Sequence, residues 1–251
     1  MMQSKLILAA IGVFAVAGAA QAATFAPIPV TGFSHDMIVG TSETFATGLT
    51  ATMDDGEGLA GSTFFQTGVA SGGIGLPTGN VVIDADYTFG LPSSYVGNNA
   101  LLICIPFDAY GSHTTNHPNG TLNFTTPAAY SALSFLVSGG GGSGNVGYTI
   151  NYAAGALATG NIFVQDWGNS PWSLQTDRWG GSGTAATGFG MFRVDVTGLT
   201  NPSDITSIAF TNVGPNGNKS IFAVSGVAVP EPASLASLGL VAGMLLRRRR
   251  A

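Results

Sequence analysis

Trp167, Trp172 and Trp179, all the tryptophans of the chain, fall in one polar, turn-rich stretch from Asp166 to Gly181. Flat indoles beside Asp177 and Arg178 could stack on sugar rings while the polar groups read hydroxyls. The competing expectation is a loop that caps a β-structure, with its indoles packed inward and each N–H bonded to backbone. Trp172, Trp179, Asp177 and Arg178 are the candidate glycan-binding residues. His113 and His117 are four apart, a spacing that on a helix turns both rings to one face for zinc. No glutamate follows His113, and Thr114-Thr115-Asn116 with Pro118 disfavours a helix, so a polar loop without metal is expected. Asp54-Asp55-Gly56-Glu57-Gly58 and the pair Asp84 and Asp86 offer oxygens to calcium, but neither has the EF-hand spacing. A solvated turn is expected for the first. For the second, strand alternation would place both acids on one solvent-facing side.

Other catalytic signals are sparse. There is no Gly-x-Ser-x-Gly, and the single cysteine, Cys104, lies in the apolar run Ala100 to Ile105. It reads as a small buried hydrophobe, and no intramolecular disulfide is possible. Gly142-x-Gly144-x-x-Gly147 has the letters of a dinucleotide fingerprint, but a β-prone run follows where a helix is required. Leu76-Pro77-Thr78-Gly79 reads as a turn. No catalytic residue, metal or cofactor is assigned, and the chain is not expected to be an enzyme. The alternative is a secreted carbohydrate-active hydrolase whose carboxylate pair hides among the acids.

The elements that must position these groups are β-strands. Short β-prone runs alternate with Gly, Asn and Pro, and no helical periodicity appears between the two ends. Expected strands are Glu43–Thr52, Ser62–Thr67, Asn80–Thr88, Ala100–Ile105, Thr121–Thr125, Ala132–Ser138, Val146–Tyr152, Asn161–Gln165, Met191–Val196, Ile205–Thr211 and Ser220–Val227. Turn signals every 8 to 12 residues argue for an all-β, antiparallel two-sheet sandwich forming one domain over 23–228. The glycine run Gly139 to Gly144 reads as a hairpin loop between pairing strands.

Only 8% of residues are charged against about 25% in ordinary domains, and glycine, 37 of 251, is about twice its usual ~7%. Between the ends the bases are Arg178, Arg193 and Lys219 alone, against every acid except Glu231. That acidic body excludes nucleic acid and anionic membrane surfaces as natural partners.

The two ends are different in kind. Residues 1–22 carry Lys5, an apolar stretch from Leu6 to Ala20, and Ala20-Gln21-Ala22 as a small-x-small cleavage site. This is the pattern of a secretory signal peptide, an apolar helix removed by signal peptidase. At the other end, within 229–251, Pro230-Glu231-Pro232 precedes an uncharged run from Ala233 to Leu246, and then Arg247, Arg248, Arg249 and Arg250. Fourteen residues of helix span about 21 Å, short of the ~30 Å hydrocarbon core. The arginines stay on the cytoplasmic side and leave the body outside. In parts and order this tail resembles the PEP-CTERM sorting signal of Gram-negative bacteria. The resemblance implies transient inner-membrane insertion through a short C-terminal hydrophobic helix. It further implies removal of the tail by an exosortase, and release to the cell surface or extracellular matrix.

The body, in turn, resembles the galactose-binding-like, jelly-roll ectodomains common among PEP-CTERM proteins. The resemblance is carried by Val30-Thr31-Gly32-Phe33, Asn98-Asn99-Ala100-Leu101, Pro127 to Leu136, Asp166-Trp167 and Ile221 to Gly226. It marks Trp167 as structural. It implies adhesion or association with extracellular polysaccharide, the further alternative being a structural envelope protein without a ligand.

Overall fold

The structure, a computed structural model, describes residues 24–44, 47–59, 61–105, 116–180, 185–214 and 217–229. The expected signal helix, the C-terminal helix, Pro230-Glu231-Pro232, the four tail arginines, Ala20, Ala22 and His113 lie outside these residues. The described chain is all-β, without a helix, and none of it could therefore cross a membrane as one.

Fifteen strands form in chain order: β1 Ala26–Ile28, β2 Val30–Thr31, β3 Ile38–Val39, β4 Phe64–Phe65, β5 Asn80–Asp84, β6 Tyr87–Gly90, β7 Leu101–Ile103 and β8 Asn119–Ala128. Then come β9 Tyr130–Gly140, β10 Gly144–Tyr152, β11 Ala158–Val164, β12 Leu174–Arg178, β13 Ala186–Thr197, β14 Ile205–Asn212 and β15 Asn218–Ala228. One antiparallel sheet runs β1-β15-β9-β13-β12, with β7 also paired to β15; the other runs β11-β10-β14-β8-β2. The sheets pack face to face as a sandwich. Leu133, Phe135 and Val137 of β9 meet Val146 and Ile150 of β10 and Ile208 and Phe210 of β14 in one buried cluster. In β8, Leu122 and Phe124 point into it while Thr121, Asn123 and Thr125 face out, as a half-buried strand requires.

The first sheet is buried on its other face too. Leu136, Met191, Phe222 and Ala223 pack there against Met37, Phe64, Leu76, Phe89 and Trp167. This adds a third layer, made of the loops between β2 and β7, the small sheets β3-β4 and β5-β6, and the segment before β12. Two-sided packing buries β9 and β15 along most of their length, where a half-buried strand would alternate. A bulge between Ile221 and Ala223 sends two successive residues, Phe222 and Ala223, into this outer cluster before Val224 returns to the inner one.

Four expectations change. Among the described residues of 43–52 no strand forms; turns and isolated bridges such as Thr52 with Gly56 satisfy the backbone. The run from Asn80 to Thr88 is two strands of a hairpin, not one. Asp84 Oδ1 accepts the Asp86 N–H in its turn, while Asp84 Oδ2 pairs with Arg193 at 2.7 Å. The glycine run does not join paired strands, because β9 and β10 belong to different sheets. It carries the chain from one sheet to the other, and an added Cβ at Gly140 would collide with the Met53 carbonyl. Finally, the tryptophan-rich stretch contains a strand, β12, paired with β13.

Candidate functional site

The tryptophan segment is largely committed to packing. Trp167 is buried between the rings of Phe64 and Phe189. Trp172 lies half-buried over Gly190 and donates its Nε1–H to the Trp167 carbonyl at 2.9 Å. Trp179 stands edge-on to Phe65 in a separate small cluster, so the two candidate indoles form no common platform. Asp177 sits at a bulge of β12 and is 1% exposed; its Oδ2 accepts the Ile74 N–H at 2.7 Å. Arg178 lies over the Phe189 ring, 4.7 Å from its centroid.

A neutral cleft of about 360 Å³ opens elsewhere, at one end of the β11-β10-β14 sheet. Tyr152, Ala156, Leu157, Leu199 and Asn201 line it. The Tyr152 hydroxyl is buried without a hydrogen-bond partner among the described residues, and Leu157 is exposed. The Asn201 amide donates to the Ala154 and Ala156 carbonyls and holds the β10–β11 connection in place. Strand alternation marks Tyr152 as apolar-facing, but nothing local in the sequence shows that the connections after β10 and β13 meet.

The acid-rich turn meets two histidines. Glu57 Oε1 lies 3.1 Å from His35 Nε2 and 2.7 Å from His117 Nε2, and the ligand atoms of all three residues fall within 4.8 Å of one another. Each backbone is fixed separately. His35 bridges Ala100, His117 bridges Cys104, and Thr52 and Gly56 exchange N–H···O bonds that close the turn before Glu57. Gly56 takes φ 57°, a conformation that glycine adopts without strain. His35 is buried, and desolvation holds it below the usual histidine value against the pull of Glu57. Hydrogen bonds from His35 and then His117 lower the Glu57 carboxyl. Cys104 is buried beside this site, and burial pushes its thiol up to about 11, which keeps it protonated at neutral pH.

A second buried acid lies in the same outer layer. Asp36 Oδ1 accepts the Asn99 amide at 2.8 Å, and its Oδ2 accepts the Gly97 N–H at 2.9 Å. Desolvation first, then the charge of Glu43, push the Asp36 carboxyl up to about 7. A folded-state value above the unfolded ~3.9 means that the fold prefers the protonated acid. Its stabilising contribution is complete below about pH 4 and is lost as the pH rises through about 7. Asp36→Asn, neutral throughout, is expected to flatten this decline by on the order of 2–4 kcal/mol between about pH 4 and pH 8. Urea unfolding of both proteins at the two pH values measures it, and parallel slopes would contradict the assignment.

The described chain ends at Val229, whose N–H bonds to the Ala129 carbonyl one residue after β15. From Ala228 to Arg250 the sequence matches the profile of the PEP-CTERM protein-sorting motif. The chain carries a PEP-CTERM sorting motif. The PEP-CTERM match begins on the last residue of β15, so sandwich and sorting element adjoin without a linker. A PEP-CTERM motif marks an exported protein that is a target of exosortase processing. No curated protein matches the chain.

Proposed function

We propose that this protein is a non-catalytic cell-surface or extracellular-matrix component of a Gram-negative bacterium that associates with extracellular polysaccharide. Signal peptidase removes residues 1–22, the C-terminal helix holds the chain transiently in the inner membrane, and an exosortase then cuts the tail and frees the sandwich. The PEP-CTERM motif carries this reading, because it marks an exported protein targeted to an exosortase.

The surface chemistry supports a glycan as the ligand. With few charges and many hydroxyl and amide groups, the body offers neutral hydrogen bonds rather than ion pairs. The cleft beside Tyr152 combines an aromatic ring, exposed aliphatic surface and amide groups, the mixture that suits a sugar face and its hydroxyls. Trp172 and Trp179 are half-buried and would contribute at most their exposed edges.

Co-sedimentation with extracellular polysaccharide from a producing strain tests the reading, with a simultaneous assay for released reducing sugar. The expected result is retention without sugar release, reduced several-fold in Tyr152→Ala and less affected in Trp172→Ala plus Trp179→Ala. No retention would refute polysaccharide association. Sugar release dependent on the protein would establish a hydrolase instead.

A further inference from the structure

We propose that His35, Glu57 and His117 form a three-ligand site for a divalent transition-metal ion of the zinc class. The three side chains come from segments distant in sequence, each pinned by its own backbone bonds, and they converge through Nε2, Oε1 and Nε2. Two imidazoles and one carboxylate are a borderline ligand set, suited to zinc rather than to calcium or magnesium, which prefer oxygen alone. Bonds of 2.0–2.2 Å place tetrahedral ligand atoms about 3.4 Å apart. The observed pairs at 2.7 and 3.1 Å, all three atoms within 4.8 Å, need a shift of on the order of 1 Å.

That adjustment falls on the more exposed side chains. His35 is the fixed ligand, with a side chain 6% exposed, whereas those of His117 and Glu57 are 38% and 45% exposed. Three protein ligands leave a fourth coordination position for another group. The second shell is in place. Ser34 Oγ accepts the Leu102 N–H and lies 2.7 Å from His35 Nδ1. Its remaining lone pair can accept a hydrogen bond from Nδ1–H, the tautomer that leaves Nε2 bare for the ion. Glu57 supplies the anion, in a turn that also carries Asp54 and Asp55. The ion replaces the imidazole contacts to Glu57, and each neutral ring then carries its proton on Nδ1.

The experiment is titration of the full-length protein with Zn²⁺, read by thermal unfolding and by the visible absorption of a Co²⁺ substitute. The expected result is a rise in melting temperature with Zn²⁺ but not with Ca²⁺ or Mg²⁺, and a tetrahedral Co²⁺ spectrum. His117→Ala and Glu57→Gln should each weaken binding by more than the about 10- to 100-fold typical of second-shell changes. Both positions are partly exposed, and metal-free melting of each variant reports whether it folds. Absence of a Zn²⁺ effect would show a hydrogen-bonded triad only. An effect that survives Glu57→Gln would place the ion on other ligands, and either result overturns the proposal.

Discussion

A chain in which Pro230 and Pro232 are both replaced by alanine is expected to accumulate uncut and membrane-retained, with little or no processed product. Proline fixes φ near −65° and lacks an N–H, so the sequence Pro-Glu-Pro resists being absorbed into a helix of the apolar run behind it. Alanine, the best helix former, would let that run extend backwards through Glu231 toward Val229. The extended segment that a processing enzyme must grip would then be spent on helix. Arg247 to Arg250 would still hold the far end at the cytoplasmic face, so the uncut chain has nowhere to go. Membrane fractionation with mass spectrometry of the C-terminus reads the outcome. Normal trimming of the double variant would remove the basis for assigning recognition to these prolines.

The second large effect concerns the sandwich. Phe135 is fully buried in the middle of β9, edge-on to Phe210 of the facing sheet at 5.5 Å between centroids. Phe135→Ala removes that contact and leaves a cavity at the joint between sheets. A loss of about 3–5 kcal/mol is expected, on the order of 10 °C in melting temperature for a body of this size. Phe163, 52% exposed on β11, is the matched control, and its change to alanine should cost no more than about 0.5 kcal/mol. Thermal unfolding of both variants decides the matter; equal losses would mean that the inner cluster is not what holds the two sheets together.

The sandwich was legible where side chains follow a strand period. In β10, Val146, Tyr148, Ile150 and Tyr152 recur every second residue, and β8 and β14 declare themselves by similar runs. Legibility failed where long-range contacts decide. Residues 43–52 have strand-like composition, but no partner strand lies alongside, so turns win. β12 is spelled Leu-Gln-Thr-Asp-Arg and forms because β13 is beside it and Ile74 takes up the Thr176 hydroxyl and the Asp177 carboxylate. The outer layer was invisible for the same reason, although Phe135-Leu136-Val137 of β9, apolar on successive residues, was a signal for it. The His35–Glu57–His117 cluster has no spacing pattern. The only hint was an acid-rich turn built on Gly56, and the spacing of His113 and His117 points to neither His35 nor Glu57.

β15 lies at the centre of its sheet, bonded to β9 on one side and to β1 and β7 on the other, and it directly precedes the sorting motif. During synthesis this keystone arrives last. Until Asn218 to Ala228 have crossed the membrane, β1 and β7 have no neighbour to dock on and the inner cluster lacks Ile221 and Val224. The sandwich therefore closes only after its last strand, directly ahead of the sorting motif, has been exported.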